Sequence, residues 1–434
     1  MKTWLKTTIA GAALAACAFG PALAQDKINI TNLSYRTGPF AATGTPVMNG
    51  QRDYMMMLNK RDGGINGAMI EYSECETGYN TEKGAECYEQ TKGSSIVTQP
   101  WSTGITLQVL PKSNVDKIPI LAPGYGFSPM SDGRVFQWAF NPPASYWDGA
   151  SMILKHIGGE NMAELEGKKV VLLHLDAPYG KEPIPLITAY AEKYNFEFLP
   201  IPVGVTEMQN QSAQWLQIRR ENPDFVLMWG WGAMNTGALT EAVKTRFPME
   251  KFIGIWWSGS DADLKTIGEA GKGYRSISWS VPNSESQAMK DIKTHVVDAG
   301  DSMIAPEEFD YVFYQRGVLI SMFAVEGIKA AQEEFDTKVV TAEQLRWGLE
   351  NLVIDEAKIE EIGMSGMIGP FSTSCSNQTG HAGGWMLEWD GAKFTPVSEL
   401  LSADADMIDP LVETEAKKYA EANAPWPTNE ECTD

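Results

Sequence analysis

The chain has 434 residues, with 35 Lys and Arg against 56 Asp and Glu, which gives a net charge of −21 at neutral pH. Such an acidic surface argues against nucleic acid or an anionic membrane as a partner, and helps to keep the protein in solution. The length exceeds one ordinary hydrophobic core and therefore predicts two lobes.

An export signal is predicted at the start of the chain. Lys2 and Lys6 precede an alanine-rich apolar run that ends at residues 22–24, so cleavage is expected before Gln25. The run is too short to span a membrane, and the mature protein is expected in the periplasm. The alternative is a lipoprotein signal, in which Cys17 would carry a lipid anchor.

Apolar runs of strand length alternate with amphipathic stretches along most of the chain, a pattern typical of parallel sheets built from strand–helix–strand units. Strands are predicted, in chain order, at 27–35, 67–74, 118–124, 168–175, 196–203, 225–235, 252–261 and 274–281. Helices are predicted at 51–60, 82–92, 104–114, 209–221, 286–298 and 315–331. A hairpin turning at Asp390-Gly391 and an acidic helix over 409–423 are expected near the end.

Two of the predicted strands run directly into tryptophans and small residues. The four indoles concerned are Trp229, Trp231, Trp256 and Trp257. Because ligands bind at the carboxyl ends of parallel strands, these side chains are expected to face a small molecule. The alternative for any one of them is packing in the core.

Four cysteines remain after the predicted leader is removed. An even number in an exported chain favours disulfides over free thiols. Cys75 and Cys87 lie in one strand–loop–helix unit, whereas Cys375 and Cys432 share the C-terminal region, so these two pairs are predicted. The alternative is a metal site, but the spacing is not that of a zinc knuckle and no histidine lies near.

No catalytic residue, cofactor or metal ligand is predicted. The four histidines form neither HExxH nor another close metal pair, and the chain has no GxSxG elbow and no phosphate-binding loop. The segment 258–261 (SGSD) is interpreted as a loop in which the Ser or Asp caps the following helix. The chain is therefore expected to hold a ligand rather than to react with it.

Several short elements, each weak alone, occur in a specific order. They are Thr37-Gly38-Pro39, Asn59, Gly63-Gly64-Ile65, Glu74-Cys75-Glu76, the segments 98–104 and 117–126, Pro178-Tyr179-Gly180 and the segment 209–232. Through them the chain resembles the periplasmic substrate-binding proteins of branched-chain amino acid type ABC transporters, the type I periplasmic binding proteins. The resemblance covers essentially the whole mature length.

The resemblance implies an α/β fold of two doubly wound lobes, with mostly parallel sheets, joined by a three-crossing hinge. One lobe would comprise 25–143 with 277–355, and the other 144–276 with 356–434. The lobes would close on a small-molecule ligand, and the closed protein would then dock onto permease subunits in the inner membrane. A monomer is expected.

The resemblance also implies which residues grip a ligand carboxylate. The family's binding hydroxyl falls on Ser102 or Thr103, and its backbone amides fall on Gly124, Tyr125 and Gly126. Hydroxyls and amides at the start of a helix can satisfy an anion without a buried cation. Plain helix capping is the alternative for the two hydroxyls, and it is compatible with that role.

An aromatic wall from the opposite lobe is implied at Tyr179 and Trp231. The chain departs from the family where amino-acid binders place a carboxylate for the ligand's ammonium group, because Trp257 falls there. Asp261 lies nearby in sequence, and Trp101 adds a large ring beside the hydroxyl pair. An unpaired ammonium in a dry cleft is costly, so these departures argue against a leucine-like ligand. Trp229 and Trp256 are then expected to serve packing.

The predicted ligand has an aromatic or apolar body and a carboxylate, held by stacking and by hydroxyl, amide and Arg36 contacts. A cationic ligand caged by Trp101, Trp231 and Trp257 is the competing chemistry, which Arg36 would disfavour. An amino acid or a short amide also remains open as the ligand. A periplasmic ligand sensor and a secreted hydrolase are the rival functions.

Overall fold

The computed structural model describes Met1, residues 26–429 and residues 431–432. The predicted export signal and the lipidation alternative at Cys17 lie outside the described residues. Within the described ranges, no helix combines the length and apolar character needed to cross a bilayer.

The described residues form two large sheets and one small sheet. The strands are β1 Lys27–Ser34, β2 Met69–Glu76, β3 Thr98–Pro100, β4 Ile120–Leu121, β5 Ala139–Phe140, β6 Lys169–Leu175, β7 Glu197–Val203, β8 Phe225–Trp229, β9 Phe252–Gly254, β10 Arg275–Ser278, β11 Val353–Ile354, β12 Phe371–Ser372, β13 Trp385–Trp389 and β14 Phe394–Pro396. The first sheet has the order β2-β1-β3-β4-β5 and is parallel throughout. The second has the order β14-β13-β10-β9-β8-β6-β7, and only β13 and β14 join it antiparallel.

Helices cover these sheets. They are α1 Ala41–Asp62, α2 Thr81–Thr91, α3 Thr103–Asp116, α4 Tyr146–Gly158, α5 Pro178–Lys181, α6 Ile184–Tyr194, α7 Ser212–Glu221, α8 Ala233–Thr245, α9 Asp261–Lys265, α10 Gln287–Ile292, α11 Val312–Glu334, α12 Ala342–Glu350, α13 Glu356–Glu361 and α14 Ala405–Ala422. The two longest, α1 and α11, pack along each other. Gly50 and Gly317 permit this approach, since a Cβ at either would lie within 2.1 Å of a carbonyl oxygen of the other helix.

The predicted α/β class with mostly parallel sheets is confirmed. The hairpin is also present, as β13 and β14, and its turn is held by the Asp390 carboxylate, which accepts the backbone N–H groups of Ala392 and Lys393. The strands β3, β5, β11 and β12 were not predicted, because two or three residues are too short to show a periodicity. The first sheet lies within 25–143. In the second sheet, β10 continues to Ser278, two residues past the predicted lobe boundary at 276. The division into lobes stays a prediction.

Both predicted disulfides are present. Cys75 pairs with Cys87 and Cys375 with Cys432, at Cα–Cα separations of 5.7 and 5.6 Å. The second bond holds the C-terminal tail against the body of the protein, where the Trp426 indole N–H also donates to the Val135 carbonyl at 2.7 Å. The tail is therefore fixed at two points rather than free.

His381 joins the C-terminal part of the chain to α4 through a charge pair. Its Nδ1 lies 2.6 Å from Asp148 Oδ1, and its Nε2 lies 3.4 Å from Asp409 Oδ1. Burial alone would lower the pKa of His381, but the two carboxylates outweigh burial and raise that pKa to about 10. The protonated imidazole therefore belongs to the folded state at neutral pH.

We expect the free energy of unfolding to fall as the pH rises. The contribution of His381 is complete below its ordinary pKa of 6.5 and is lost as the pH rises through about 10. Glu182 acts in the same direction between 4.5 and about 7, because burial raises the pKa of its carboxyl group. Urea unfolding at several pH values checks this, with His381→Gln as the comparison. The wild type should lose on the order of a few kcal/mol more than the variant between about pH 6 and 10. An equal loss in both proteins would contradict the pairing.

Candidate functional site

The carboxyl ends of the two parallel sheets meet on one buried aromatic cluster, here called the cleft cluster. Its members are Tyr35, Tyr79, Trp101, Tyr125, Tyr146, Tyr179, Trp231, Trp256, Trp257 and Phe313. Several lie within three residues of the end of a strand: Tyr35 after β1, Trp101 after β3, Trp231 after β8 and Trp257 after β9. The strand ends therefore determine where these rings lie.

Trp257 lies at the centre of the cleft cluster and is about 1% exposed. Its ring centroid lies 4.2 Å from that of Tyr125, 5.3 Å from that of Trp231 and 5.7 Å from that of Phe313. Tyr125 belongs to the loop after β4 of the first sheet, whereas Trp231 and Trp257 follow strands of the second sheet. The cluster therefore connects the two sheets.

A single carbonyl group ties the two sheets together at this point. The Gly124 carbonyl accepts the indole N–H of Trp256 at 2.9 Å and that of Trp257 at 2.6 Å. Gly124 has φ +67, and a Cβ here would lie 2.9 Å from Trp279 Nε1 and 3.2 Å from Trp256 Nε1. Both the backbone conformation and the close approach require glycine. The structure thus brings the predicted Gly124 loop and Trp257 into contact.

The start of α3 supplies hydroxyl groups to the same region. Ser102 is the N-cap of α3, and its Oγ accepts the Ile105 backbone N–H at 3.4 Å. The neighbouring Thr103 hydroxyl is buried and has no hydrogen-bond partner among the described residues. The Tyr146 hydroxyl, from the start of α4, is close enough to Thr103 to influence its own pKa, yet it too lacks a hydrogen bond of normal geometry.

Besides the Trp279 indole nitrogen, four hydrogen-bond donors of the cleft region have no acceptor among the residues that the structure describes. They are the indole nitrogens of Trp101 and Trp231 and the hydroxyl groups of Thr103 and Tyr146. Buried donors are nearly always paired in native proteins, so a group of four points to an acceptor brought by a ligand. Burial, followed by the neighbouring tyrosine hydroxyls, raises the pKa of Tyr146 well above its usual value, so its hydroxyl stays a donor.

A cavity of about 310 Å³ opens from the cleft cluster between the two sheets. It is lined from the first sheet's side by Pro39, Phe40, Gly78, Tyr79, Asn80, Thr81, Ser102 and Gly104, and from the second by Leu175, Ala177, Pro178, Tyr179 and Val205. The predicted residues Ser102 and Tyr179 therefore face one another across this opening. Tyr79 was not predicted; it follows β2, with φ +63.

Ser258 holds the two tryptophan-bearing loops of the second sheet together. Its hydroxyl accepts the Gly230 backbone N–H at 3.1 Å and lies 3.0 Å from the Gly230 carbonyl, which also accepts the Tyr179 hydroxyl at 3.0 Å. The segment 258–261 was interpreted as a helix-capping loop, but no side chain caps α9 at Ser260. Ser258 instead fixes the loop that carries Trp231.

Asn235 makes a second connection between these loops. Its side-chain amide donates to the Trp257 carbonyl at 3.0 Å and to the Asp263 carboxylate at 2.9 Å. Burial raises the pKa of Asp263 to about 7, although hydrogen bonds from Asn235 and Thr236 oppose that rise. These hydrogen bonds help to fix the position of Trp257. Nothing in the sequence pattern identifies them.

Two of the predicted ligand contacts, Arg36 and Asp261, have partners within the protein. The Arg36 guanidinium makes a bidentate pair with Glu74, at 2.6 and 2.7 Å, and donates to Asn49 at 2.8 Å. These three hydrogen bonds hold the guanidinium against Glu74 of β2 and Asn49 of α1. Asp261 accepts the backbone N–H of Val312 at 2.8 Å and so caps α11. Both side chains are committed to the protein, and neither is retained as a ligand contact.

Arg316, on α11, is a buried cation beside the cleft cluster that was not predicted from the sequence. It is about 1% exposed, and its guanidinium donates to the Trp256 carbonyl at 2.6 Å and to the hydroxyls of Ser278 and Ser280. Its guanidinium carbon lies 5.1 Å from the Trp257 ring centroid. Among the described residues it forms no ion pair with a carboxylate, and burial lowers its pKa to about 9.

Trp256, which was expected to serve packing, lies within the cleft cluster. Its ring stacks on Tyr146 at 5.6 Å with an interplanar angle of 16°, and its N–H reaches Gly124 in the first sheet. Trp229 is fully buried at the end of β8 and lies outside the cleft cluster. Tyr146, which stacks on Trp256, was not predicted from the sequence.

Two parallel sheets whose carboxyl ends meet on such a cluster define a two-lobed ligand-binding protein. The chain belongs to the periplasmic binding protein family, whose model matches residues 27–393. The resemblance to type I periplasmic binding proteins is thereby confirmed. No curated protein matches the chain.

Three solved structures illustrate the relationship. One described as an ABC transporter permease from the Pseudomonas fluorescens group is 34% identical, with a TM-score of 0.86, over 93% of this chain and 99% of that chain. A branched chain amino acid ABC transporter from Thermus thermophilus with bound valine is 20% identical, with a TM-score of 0.76, over 90% of this chain and 99% of that chain. A solute binding protein from R. palustris in complex with benzoate is 15% identical, with a TM-score of 0.68, over 87% of this chain and 97% of that chain.

The latter two likenesses show the fold, and the family match shows the function. The chain is a substrate-binding protein of an ABC transporter: it binds a small ligand, interacts with a permease and is not an enzyme.

Proposed function

We propose that this protein captures a small organic carboxylate with an aromatic or apolar body. The observation that carries the proposal is the composition of the cleft cluster, where aromatic rings surround four donors that have no acceptor among the described residues. Aromatic faces favour a planar or apolar body, whereas unpaired donors favour an acceptor such as a carboxylate.

The carboxylate is placed at the start of α3, beside Ser102 and Thr103. The N-terminus of this 14-residue helix attracts negative charge, and the Thr103 hydroxyl is free to donate there. The backbone amide of Tyr125 is not assigned to the carboxylate, because the Tyr125 N–H donates to the Ala122 carbonyl, whereas the amides of Gly124 and Gly126 are kept as proposed contacts. The hydroxyl group of Tyr146, at the start of α4, would donate a further hydrogen bond to the carboxylate.

The surroundings of Trp257 support a ligand without an ammonium group. The two nearest acidic residues in sequence are committed elsewhere, since Asp261 caps α11 and Asp263 accepts hydrogen bonds from Asn235 and Thr236. An ammonium placed against Trp257 would therefore lack a carboxylate from this segment, which is costly in a dry cleft. This supports an aromatic or apolar acid over a leucine-like amino acid.

A quaternary amine is the second candidate ligand, because indole faces attract such cations. Arg316 opposes it: its guanidinium lies 5.1 Å from the Trp257 ring and would repel a cation on the far side. Arg316 therefore replaces Arg36 as the positive charge proposed to disfavour a cationic ligand. The same charge favours an anionic ligand.

We further propose that the protein works as a monomer in the periplasm, exported by its N-terminal signal, and delivers its ligand to permease subunits in the inner membrane. The predicted signal and the acidic composition support this placement. A periplasmic sensor of the same ligand remains the alternative role.

A thermal-shift panel tests the ligand class. Benzoate, phenylacetate, benzamide, leucine and glycine betaine are compared at equal concentration on the full mature chain. Binding to the folded state alone raises the unfolding temperature, so the aromatic carboxylates should give the largest increase. A large increase with leucine alone, or with betaine alone, would overturn the proposed ligand.

Replacing Arg316 is expected to lower the affinity for benzoate by about tenfold and to leave the affinity for benzamide nearly unchanged, since only the anion feels the charge. Isothermal titration of the Arg316→Gln variant measures the affinity for each ligand. The ratio of the two affinities separates the effect of the charge from a general disturbance of the site, which would weaken both ligands equally. Arg346→Gln is the matched control, because Arg346 also lies over an indole, that of Trp138, at 5.5 Å. Equal losses for both ligands would show that Arg316 acts only through packing.

A further inference from the structure

A second cavity, here called the distal cavity, lies at the opposite end of the second sheet from the cleft. Its volume is about 210 Å³, and it opens between the C-terminal ends of α7 and α8. Pro223 and Lys251, which line it, precede β8 and β9 respectively, whereas the cleft cluster follows those strands. The distal cavity is therefore separate from the proposed ligand site.

The inner wall of the distal cavity is aromatic. Trp215 is about 1% exposed and makes edge contacts with Phe247 at 5.8 Å and with Phe252 at 5.3 Å between ring centroids. Trp215 and Phe247 both line the cavity. The Trp215 indole N–H is buried and has no acceptor among the described residues. An indole that is packed on its ring but unpaired at its nitrogen leaves a donor for a bound group.

The rim of the distal cavity is basic in an otherwise acidic protein. Arg219, Arg246 and Lys251 all line it. Among the described residues, none of the ion pairs and none of the side-chain hydrogen bonds involves these three side chains. Lys251 lies near enough to Asp224 to help lower the pKa of that carboxyl group. Neither guanidinium group has a carboxylate partner among the described residues, so both are open to an anion.

Helix ends offer a simpler account of part of this charge. A cation in the last turn of a helix is stabilised by the helix dipole, which accounts for Arg219 in α7. The same dipole favours Arg246, which ends α8 with φ +58, a left-handed conformation more often taken by Gly or Asn. The corresponding ends of α6 and α7 carry Asn195 and Asn222, whereas that of α3 carries Lys117. The feature particular to this rim is that two guanidinium groups, unpaired among the described residues, lie beside one aromatic-walled cavity.

We propose that the distal cavity binds a small organic anion with one planar apolar ring. The ring would pack against Trp215 and Phe247, and the anionic group would lie at the rim between Arg219 and Arg246, within reach of the indole N–H. A cavity of about 210 Å³ holds a single ring but not a larger body. The site is independent of the proposed cleft ligand.

Fluorine NMR on the full mature chain labelled with 5-fluorotryptophan tests this site directly. The Trp215 resonance is assigned with Trp215→Phe, and benzoate, benzyl alcohol and benzylammonium are titrated separately up to about 20 mM. Benzoate should shift the Trp215 resonance to saturation, whereas the neutral and cationic analogues should bind at least about tenfold more weakly.

The double variant Arg219→Gln/Arg246→Gln should weaken benzoate at the Trp215 resonance by about tenfold or more, and the exposed neighbour Arg220→Gln should change nothing. Three results would overturn the site: no saturable shift of Trp215, equal affinity for benzyl alcohol, or unchanged benzoate affinity in the double variant. Because Trp215 reports the distal cavity and the arginine variants leave the cleft intact, a failure here is distinct from a failure of the proposed cleft ligand.

Discussion

Replacing Gly124 by alanine is expected to weaken ligand binding by about a hundredfold, because the new methyl group disfavours the closed arrangement of the two sheets by about 3 kcal/mol. The Cβ would lie 2.9 Å from Trp279 Nε1 and 3.2 Å from Trp256 Nε1, and both rings are fully buried. It would also strain a backbone at φ +67. Isothermal titration with the best ligand of the thermal-shift panel measures the loss.

Gly167→Ala is the matched control for that strain. Gly167 has φ +70, and a Cβ there meets nothing within 4 Å, so the variant carries the same backbone cost without the contact. It should bind the ligand as the wild type does. If Gly124→Ala also bound normally, the contact between the Gly124 loop and the indoles would have no part in binding.

Removing the indole of Trp257 should have the other large effect. Trp257→Ala is expected to reduce affinity at least about a hundredfold, because it deletes the ring at the centre of the cleft cluster and one donor to the Gly124 carbonyl. The loss of a buried indole should also reduce the free energy of unfolding by about 3–5 kcal/mol. Titration and urea unfolding of the same preparation separate the two effects.

Trp389→Ala is the matched control for Trp257→Ala, since it removes a similar indole at a different position. Trp389 is also fully buried, and its indole N–H donates to a glycine carbonyl, that of Gly268, at 2.9 Å. It lies on β13, away from the cleft cluster, so the control should lose stability and keep its affinity. Equal affinity losses in the two variants would mean that Trp257 matters only for folding.

Much of the site could be predicted because the rule that governs it is local. A parallel strand delivers the residues at its carboxyl end to the cleft, so the runs ending at Trp231 and Trp257 were informative without any knowledge of their neighbours. The same holds for Ser102 and Thr103, since helix starts are marked by their own sequence. The disulfide pairs followed from which cysteines share a supersecondary unit.

The charges of the site could not be predicted, because they depend on distant partners. Arg36 was expected in the cleft, but Glu74, 38 residues away, holds its guanidinium. Arg316 lies in the second turn of a long apolar helix, and only the fold brings it close to Trp257, 59 residues earlier in the chain. A single sequence gives no sign of which of two arginines is paired.

The same reason explains the missed tyrosines. Tyr79 lies in the turn between β2 and α2, and Tyr146 is the first residue of α4, so neither belongs to a run that the sequence marks as the end of a strand. Trp256 was assigned to packing because it is adjacent to Trp257 and was expected to point the other way. The short helical turn at 256–258 breaks that alternation and turns both indoles towards Gly124.

The proposed position of the ligand carboxylate, at the start of α3 inside the cleft cluster, can be seen in a crystal structure with the tightest ligand of the panel. We expect one carboxylate oxygen at about 3 Å from Thr103 Oγ1, with the ligand body between Trp231, Trp257 and Tyr179. A ligand whose ammonium group faces Trp257, or whose carboxylate lies away from Thr103, would contradict it.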